Sequence, residues 1–211
     1  MSSYDDIAFT GPVRAMQTRY GSRAFYARRA ARVTPDEQAP VSEDVTEFLT
    51  GVDGFFLASV SDDGWPYVQF RGGPPGFLHV MDTGRVGWAD FRGNLQYISV
   101  GNISADDRVA LIAIDYPSRQ RVKIFGHART VFADDEPELV ASLTPPDYEA
   151  VVERAVIVTV AALDWNCRQH ITPRWTAAEL EPQLAALRDQ VRAAQAENKQ
   201  LRRLLEARPQ P

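Results

Sequence analysis

The chain has 211 residues, 45% hydrophobic and 24% charged, as expected for one globular domain with a sizeable core and an appendage. A net charge of −5 gives no bulk attraction to nucleic acid or an anionic membrane, and no apolar run approaches the roughly 18 residues that a span needs. The acidic start Met1–Asp6 has no apolar h-region, so no signal peptide is expected. Cys167 is the only cysteine, which excludes an intrachain disulfide and makes a reducing cytoplasm the expected location.

Residues 1–41 read as a helical lead-in. Val13, Met16 and Tyr20 fall at helical spacing after Gly11-Pro12. Phe25–Arg32 predicts a second short helix with a basic, solvated face. Thr34–Pro40, with two prolines, predicts a linker. Ser42 is placed to cap the next helix, with Glu43 and Asp44 in its positive first turn and Val45, Phe48 and Leu49 on its buried face.

From Gly54 the period changes to that of strands. Phe55–Val60 and Tyr67–Phe70 flank Ser61-Asp62-Asp63-Gly64, a hairpin loop. Phe77–Met81 and Val86–Ala89 flank Asp82-Thr83-Gly84-Arg85, a second hairpin. Asn94–Val100 predicts a short helix. Val109–Ile114 and Val122–Phe132 form the next strand pair, and Gly126 inside the second predicts a bulge or close backbone approach. Glu136–Leu143 and Asp147–Val152 read as helical, and Ala155–Leu163 as a final buried strand. Hairpin-linked strands with few helices between them argue for a mainly β architecture, an antiparallel barrel with flanking helices.

After Trp175 the composition shifts. Leu184, Val191, Asn198 and Leu205 fall at heptad position a, and Leu187, Ala194 and Leu201 at d. A single Asn at a favours a parallel two-stranded coiled coil, and Glu197 can meet Arg202 of a second chain. Thr176 with Glu179 forms a capping-box pattern, although Pro182 offers a later start for the regular helix. The predicted organisation is 1–41 lead-in, 42–175 barrel domain and 176–211 coiled-coil helix.

Two clusters between Gly64 and Gly126 carry chemistry. One reads Trp65-Pro66-Tyr67-Val68-Gln69-Phe70-Arg71-Gly72-Gly73-Pro74-Pro75-Gly76-Phe77, the other Gly87-Trp88-Ala89-Asp90-Phe91-Arg92-Gly93-Asn94-Leu95-Gln96-Tyr97. Each is a strand entering a Gly-rich turn that bears an arginine. With the order of strands and turns over residues 45–175, they resemble the pyridoxamine 5'-phosphate oxidase-like family, the FMN-binding split β-barrels.

That resemblance implies a homodimer with FMN at the subunit interface. Such a site needs arginines and N–H groups for the phosphate, apolar walls for the ring, and a few donors that tune reduction. Gln69, Phe70, Arg71 and Gly72 match the family strand that runs along the flavin. Trp88, Ala89 and Asp90 lead to the place where the family oxidases carry a Ser-Arg-Lys phosphate clasp. Arg92, Asn94 and Gln96 stand there as substitutes. Gln120–Gly126 resembles the strand whose early polar residue reaches the flavin of the other subunit. Arg121 and Lys123 are its candidates, Arg121 standing where the family has glutamine.

The polar and aromatic run Asp164–Trp175 resembles the segment that closes over flavin and substrate, with Asn166, Gln169 and Trp175 as lining residues and His170 as a candidate proton donor. The oxidases' terminal Arg-Leu-Ala-Pro pattern is absent, so vitamin B6 oxidation is not expected. His79, His127 and His170 lack the spacing of a metal site. The expected function is an FMN-dependent oxidoreductase transferring hydride through flavin N5 on an unknown small substrate, with NAD(P)H a possible reductant. The alternative is a non-catalytic flavin carrier or sensor that recruits a partner through its coil.

Overall fold

A computed structural model describes residues 3–30, 41–166 and 168–207. The chain forms two compact units, residues 1–170 and 171–211. In the first, α1 (Tyr4–Ala8), α2 (Gly11–Arg19) and α3 (Arg23–Ala30) precede α4 (Glu43–Gly51). The strands are β1 (Gly54–Val60), β2 (Pro66–Gly72), β3 (His79–Asp82), β4 (Arg85–Phe91), β5 (Arg108–Asp115), β6 (Gln120–Phe132) and β7 (Val152–Trp165). Helix α5 (Ile98–Ala105) joins β4 to β5, and α6 (Pro137–Leu143) joins β6 to β7. The second unit carries α7 (Ala177–Glu206).

The strands form one antiparallel seven-stranded sheet in the order β2-β1-β5-β6-β7-β4-β3. Alternation along β5 and β6 sends Val109, Leu111, Ala113, Val122 and Ile124 into the core. β4 is buried along both faces, and Trp88 meets Phe55 edge-on at 4.9 Å inside the main cluster. The amphipathic α4 adds Val45 and Leu49 to that cluster. A smaller cluster of Val131, Val140, Leu143, Ala155 and Ile157 lies under α6.

The β1–β2 hairpin closes as its Asp-Gly signal predicts, with Gly64 at φ 89° and the Ser61 N–H donating to Trp65 O at 2.9 Å. Gly126 sits at a register break between β6 and β7. A Cβ there would lie 2.6 Å from the Thr159 carbonyl oxygen and 2.5 Å from Val158 Cγ1, so no larger residue fits without movement.

Several boundaries differ from the sequence expectation. The helix predicted at Asn94 begins at Ile98, because Leu95 (φ 63°) and Tyr97 (φ 54°) adopt left-handed backbone. Residues 147–151 are not helical: Asp147 is also left-handed (φ 58°), and β7 starts at Val152. Ser42 stands at the α4 N-cap but makes no side-chain capping bond. The lead-in holds an unforeseen first helix, α1, closed by a Ser3–Asp6 capping box. The predicted linker Thr34–Pro40 lies outside the described residues. In α7 the Thr176–Glu179 capping box forms and Pro182 lies inside the helix, so the earlier start is the one adopted.

The lead-in is tied to the sheet. Tyr4 stacks on Phe125 with centroids 5.1 Å apart, Lys123 Nζ lies 5.3 Å from the Tyr4 ring centre, and Arg29 pairs with Asp164.

Candidate functional site

A cleft of about 160 Å³ opens between one face of β2, the end of β4 and the turn into α5. Period-two alternation brings Tyr67, Gln69 and Arg71 of β2 to it together, while β4 supplies Asp90 and Phe91. Gly93, Asn94, Leu95, Gln96 and Tyr97 form the rim, and Ile98, Ser99 and Val100 of the first turn of α5 close it.

The floor is charged and incompletely satisfied. Arg71 Nη1 lies 3.5 Å from Asp90 Oδ1. Arg71 Nε, Asp90 Oδ1 and Ser99 Oγ are buried without a hydrogen-bond partner among the described residues. Burial raises the Asp90 carboxyl above the usual range; Arg71 and Arg154 oppose that rise, and Glu153 adds to it. Tyr67 donates its hydroxyl proton to Gln69 Oε1 at 2.6 Å, fixing that amide on the wall. On the rim, Asn94 Oδ1 accepts from the Gln96 N–H at 3.2 Å, a turn closed by the side chain.

Tyr97 stands at the N-cap of α5 and has no side-chain cap bond. The orphan N–H groups of the first turn are therefore left without the acceptor that Ser, Asp or Asn would supply there. Partial positive charge, the Arg71 guanidinium and the Ser99 hydroxyl converge on one small cleft. Such a donor set suits an anion with several acceptor oxygens.

Of the residues expected at a site, Gln69, Arg71, Asp90, Asn94 and Gln96 meet in this cleft. The others do not. Trp88 and Ala89 are about 1% exposed and belong to the core, because β4 is covered on both sides, so their side chains offer nothing to a ligand. Phe70 points to the opposite face of β2, with its ring packed over Gly54 and Gly72. The Arg92 guanidinium is held by Glu153 Oε1 at 2.7 Å rather than turned into the cleft.

Arg121 and Lys123 lie on β6, which β1 and β5 separate from β2 in the sheet. The Asn166 N–H donates to Arg121 O at 3.0 Å, prolonging the β6–β7 pairing. Gln169 and His170 are exposed, with His170 in left-handed backbone (φ 63°). Trp175 belongs to the second unit, and Cys167 lies outside the described residues.

Sequence reasoning missed Tyr67 and Ser99 on the cleft, and Glu153 and Arg154 behind it. Alternation from Arg71 and Gln69 would have reached Tyr67. The Glu153-Arg154 pair fell between the helix expected to end at Val152 and the strand expected to begin at Ala155, whereas both residues lie in β7. Among the described residues, no group of three or more His, Cys, Asp or Glu could hold a metal, and no helix is long and apolar enough to cross a membrane.

The fold and this sequence place the chain in a family. Residues 41–158, more than half of its length, match the pyridoxamine 5'-phosphate oxidase family, and the chain belongs to it. Its antiparallel sheet with flanking helices is the FMN-binding split barrel, followed by a long C-terminal helix. Among solved structures, HupZ of Group A Streptococcus is 12% identical over 64% of this chain and 99% of its own, with a TM-score of 0.49. A putative pyridoxamine 5'-phosphate oxidase of Lactobacillus delbrueckii is 21% identical over 60% and 95%, at 0.47. An FMN-binding protein of Syntrophomonas wolfei is 8% identical over 71% and 97%, also at 0.47. No curated protein matches the chain.

Proposed function

We propose that the chain is an FMN-dependent oxidoreductase, and that this cleft holds the phosphate end of the flavin. The observation that carries the reading is the pair of buried donors without acceptors, Arg71 Nε and Ser99 Oγ, beside an uncapped helix N-terminus. FMN carries a terminal phosphate that such donors fit. At about 160 Å³ the cleft is smaller than the roughly 300 Å³ of a complete small-molecule site, so it suits the phosphate and adjoining ribityl chain rather than the ring.

In this reading the ring lies between the subunits of a homodimer, as the family resemblance implies, with Arg121 and Asn166 as the second subunit's candidates. Lys123 is engaged over Tyr4 and is the weaker candidate there. When bound, FMN supplies hydride acceptance at ring N5. The chain's own groups then do the rest: Arg71 and Ser99 bind the phosphate, Gln69 and Asn94 orient the ribityl hydroxyls, and Asp90 holds Arg71 in place.

The test begins with the cofactor released by heat from purified protein, which is expected to be FMN. Adding NADH or NADPH without oxygen, and then oxygen, should bleach and restore the flavin absorbance. A flavin that neither a nicotinamide nor any other added electron donor of suitable potential reduces would favour the carrier or sensor instead. Protein that neither retains nor rebinds FMN would overturn both readings.

A further inference from the structure

We propose that α7 pairs with α7 of a second copy of this chain as a parallel, in-register, two-stranded coiled coil. Helix α7 is continuous over 30 residues, and its start is closed in both directions: Glu179 N–H donates to Thr176 Oγ1 at 3.2 Å, and Thr176 N–H donates to Glu179 Oε2 at 2.7 Å. None of its residues is buried. Leu184, Leu187, Val191, Leu201 and Leu205 all stay substantially exposed, and all fall at a or d of one heptad register. Of the large exposed aliphatic side chains of α7, these five line one narrow seam and only Leu204, at g, stands beside it, so the face calls for a partner with the same spacing.

Asn198 decides the direction. In the parallel in-register pairing its a position faces the same amide of the second chain, and the two amides can bond each other. In an antiparallel pairing that aligns Leu184 with Leu201 and Val191 with Ala194, Asn198 would face Leu187 and be buried without a partner. The flanking positions agree with the parallel arrangement. Glu197 at g meets Arg202 at e of the second chain, Gln183 meets Arg188, and Gln190 meets Gln195, with no like charges opposed. Within one chain Arg202 Nε donates to Asn198 Oδ1 one turn earlier at 2.8 Å, which leaves its outer nitrogens for Glu197 of the second chain.

Pro182 fits the same register. It occupies f, the position farthest from the seam, so its missing N–H leaves the packing line intact. The seam from Leu184 to Leu205 is only about three heptads, and Ala194 and Asn198 thin its middle, so it is too short to pair well alone. The homodimer of the proposed function would supply the missing term by holding the two helices at an effective concentration of about millimolar. The inference therefore rests on that dimer, and its test must separate the two.

The test uses the full chain with Cys167→Ser, adding Leu187→Cys, Leu201→Cys or, as an outward-facing control, Asp189→Cys. Facing d positions in a parallel pair bring Cα atoms within the roughly 4.4–6.8 Å a disulfide requires, whereas f positions are far apart. Mild oxidation should link most of the Leu187→Cys and Leu201→Cys protein into covalent dimers and little of the Asp189→Cys protein. Linkage only in the double variant Leu187→Cys/Asn198→Cys would mean antiparallel pairing and overturn the proposal. Linkage equal to the control at every position would overturn it as well. Light scattering on each variant before oxidation, under reducing conditions, and flavin absorbance report separately on the barrel dimer and the cofactor site, so a reduced monomer or a lost flavin that still links on oxidation counts against the proposed function alone.

Discussion

The guanidinium carbon of Arg154 lies 4.8 Å from the ring centre of Tyr97, the residue that leads into α5 from left-handed backbone. Arg154 is buried and pairs with Glu153, which also binds Arg92, and it faces Asp90 across β4 and β7. Asp90 in turn meets Arg71 on β2. Three arginines and two carboxylates thus form a chain of alternating sign behind the cleft, with one positive charge in surplus. Its middle member, Arg154, is the one that meets Tyr97 at the entry to α5.

Arg154→Met is expected to destabilise the protein by about 3 kcal/mol, because it leaves Glu153 and Asp90 short of a buried counter-charge. Arg154→Lys keeps the charge but loses the planar stack on Tyr97, worth about 0.5–1 kcal/mol. Urea denaturation orders the three proteins. A Lys variant as unstable as Met would show that the flat guanidinium, not its charge, carries the effect.

Arg71→Ala should weaken FMN binding by about 1.5–3 kcal/mol, the usual worth of a charge-assisted hydrogen bond. Arg92→Ala should weaken it by less than about 1 kcal/mol, since Glu153 already holds that exposed guanidinium. Quenching of flavin fluorescence on titration with each variant measures both. Equal losses would move the phosphate towards Arg92.

Asp90 sets a pH dependence with an unusual sign. Burial raises its folded pKa above the unfolded value near 3.8. Between those two values the native state holds a proton that the unfolded chain has lost, so this group's contribution to stability falls as pH rises. The Tm of the native protein minus that of Asp90→Asn should therefore shrink from about pH 4 towards neutrality. A difference that grows with pH would mean that Arg71 and Arg154 outweigh burial.

Gly126→Ala should cost about 1–3 kcal/mol, because the new methyl group meets backbone at Thr159 as well as the movable Val158 side chain. Thermal unfolding tests it; an unchanged Tm would show that the β6–β7 bulge can shift.

Pyridoxamine 5'-phosphate should be a poor substrate, since the chain lacks the Arg-Leu-Ala-Pro pattern with which the related oxidases hold it. Hydrogen peroxide release at the rate of an ordinary enzyme, about 10 per second, would overturn this.

What could be read from sequence was whatever local chemistry dictates. Asp63-Gly64 announces its hairpin, Gly126 its close approach, and Thr176 with Glu179 its helix start. The β2 face was half legible: Gln69 and Arg71 were found, but Phe70 and Gly72 were grouped with them although successive residues point to opposite faces. Trp88 was grouped with the cofactor-binding candidates through its neighbours Asp90 and Arg92, and only the cover on both sides of β4 reveals it as core. The entry to α5 was illegible for a different reason. Leu95 and Tyr97 have no intrinsic taste for left-handed backbone, so nothing local announces it, and the residue that meets Tyr97, Arg154, lies on a strand distant in sequence.

The left-handed pair also sets a conflict for any future evolution of this loop. Each costs about 1–2 kcal/mol relative to a residue at ease there. Gly or Asn at position 95 would relieve that strain and also loosen the turn that aims the first N–H groups of α5. Selection for heat resistance and selection for ligand retention should therefore pull position 95 in opposite directions, and variants enriched by one screen should be depleted by the other.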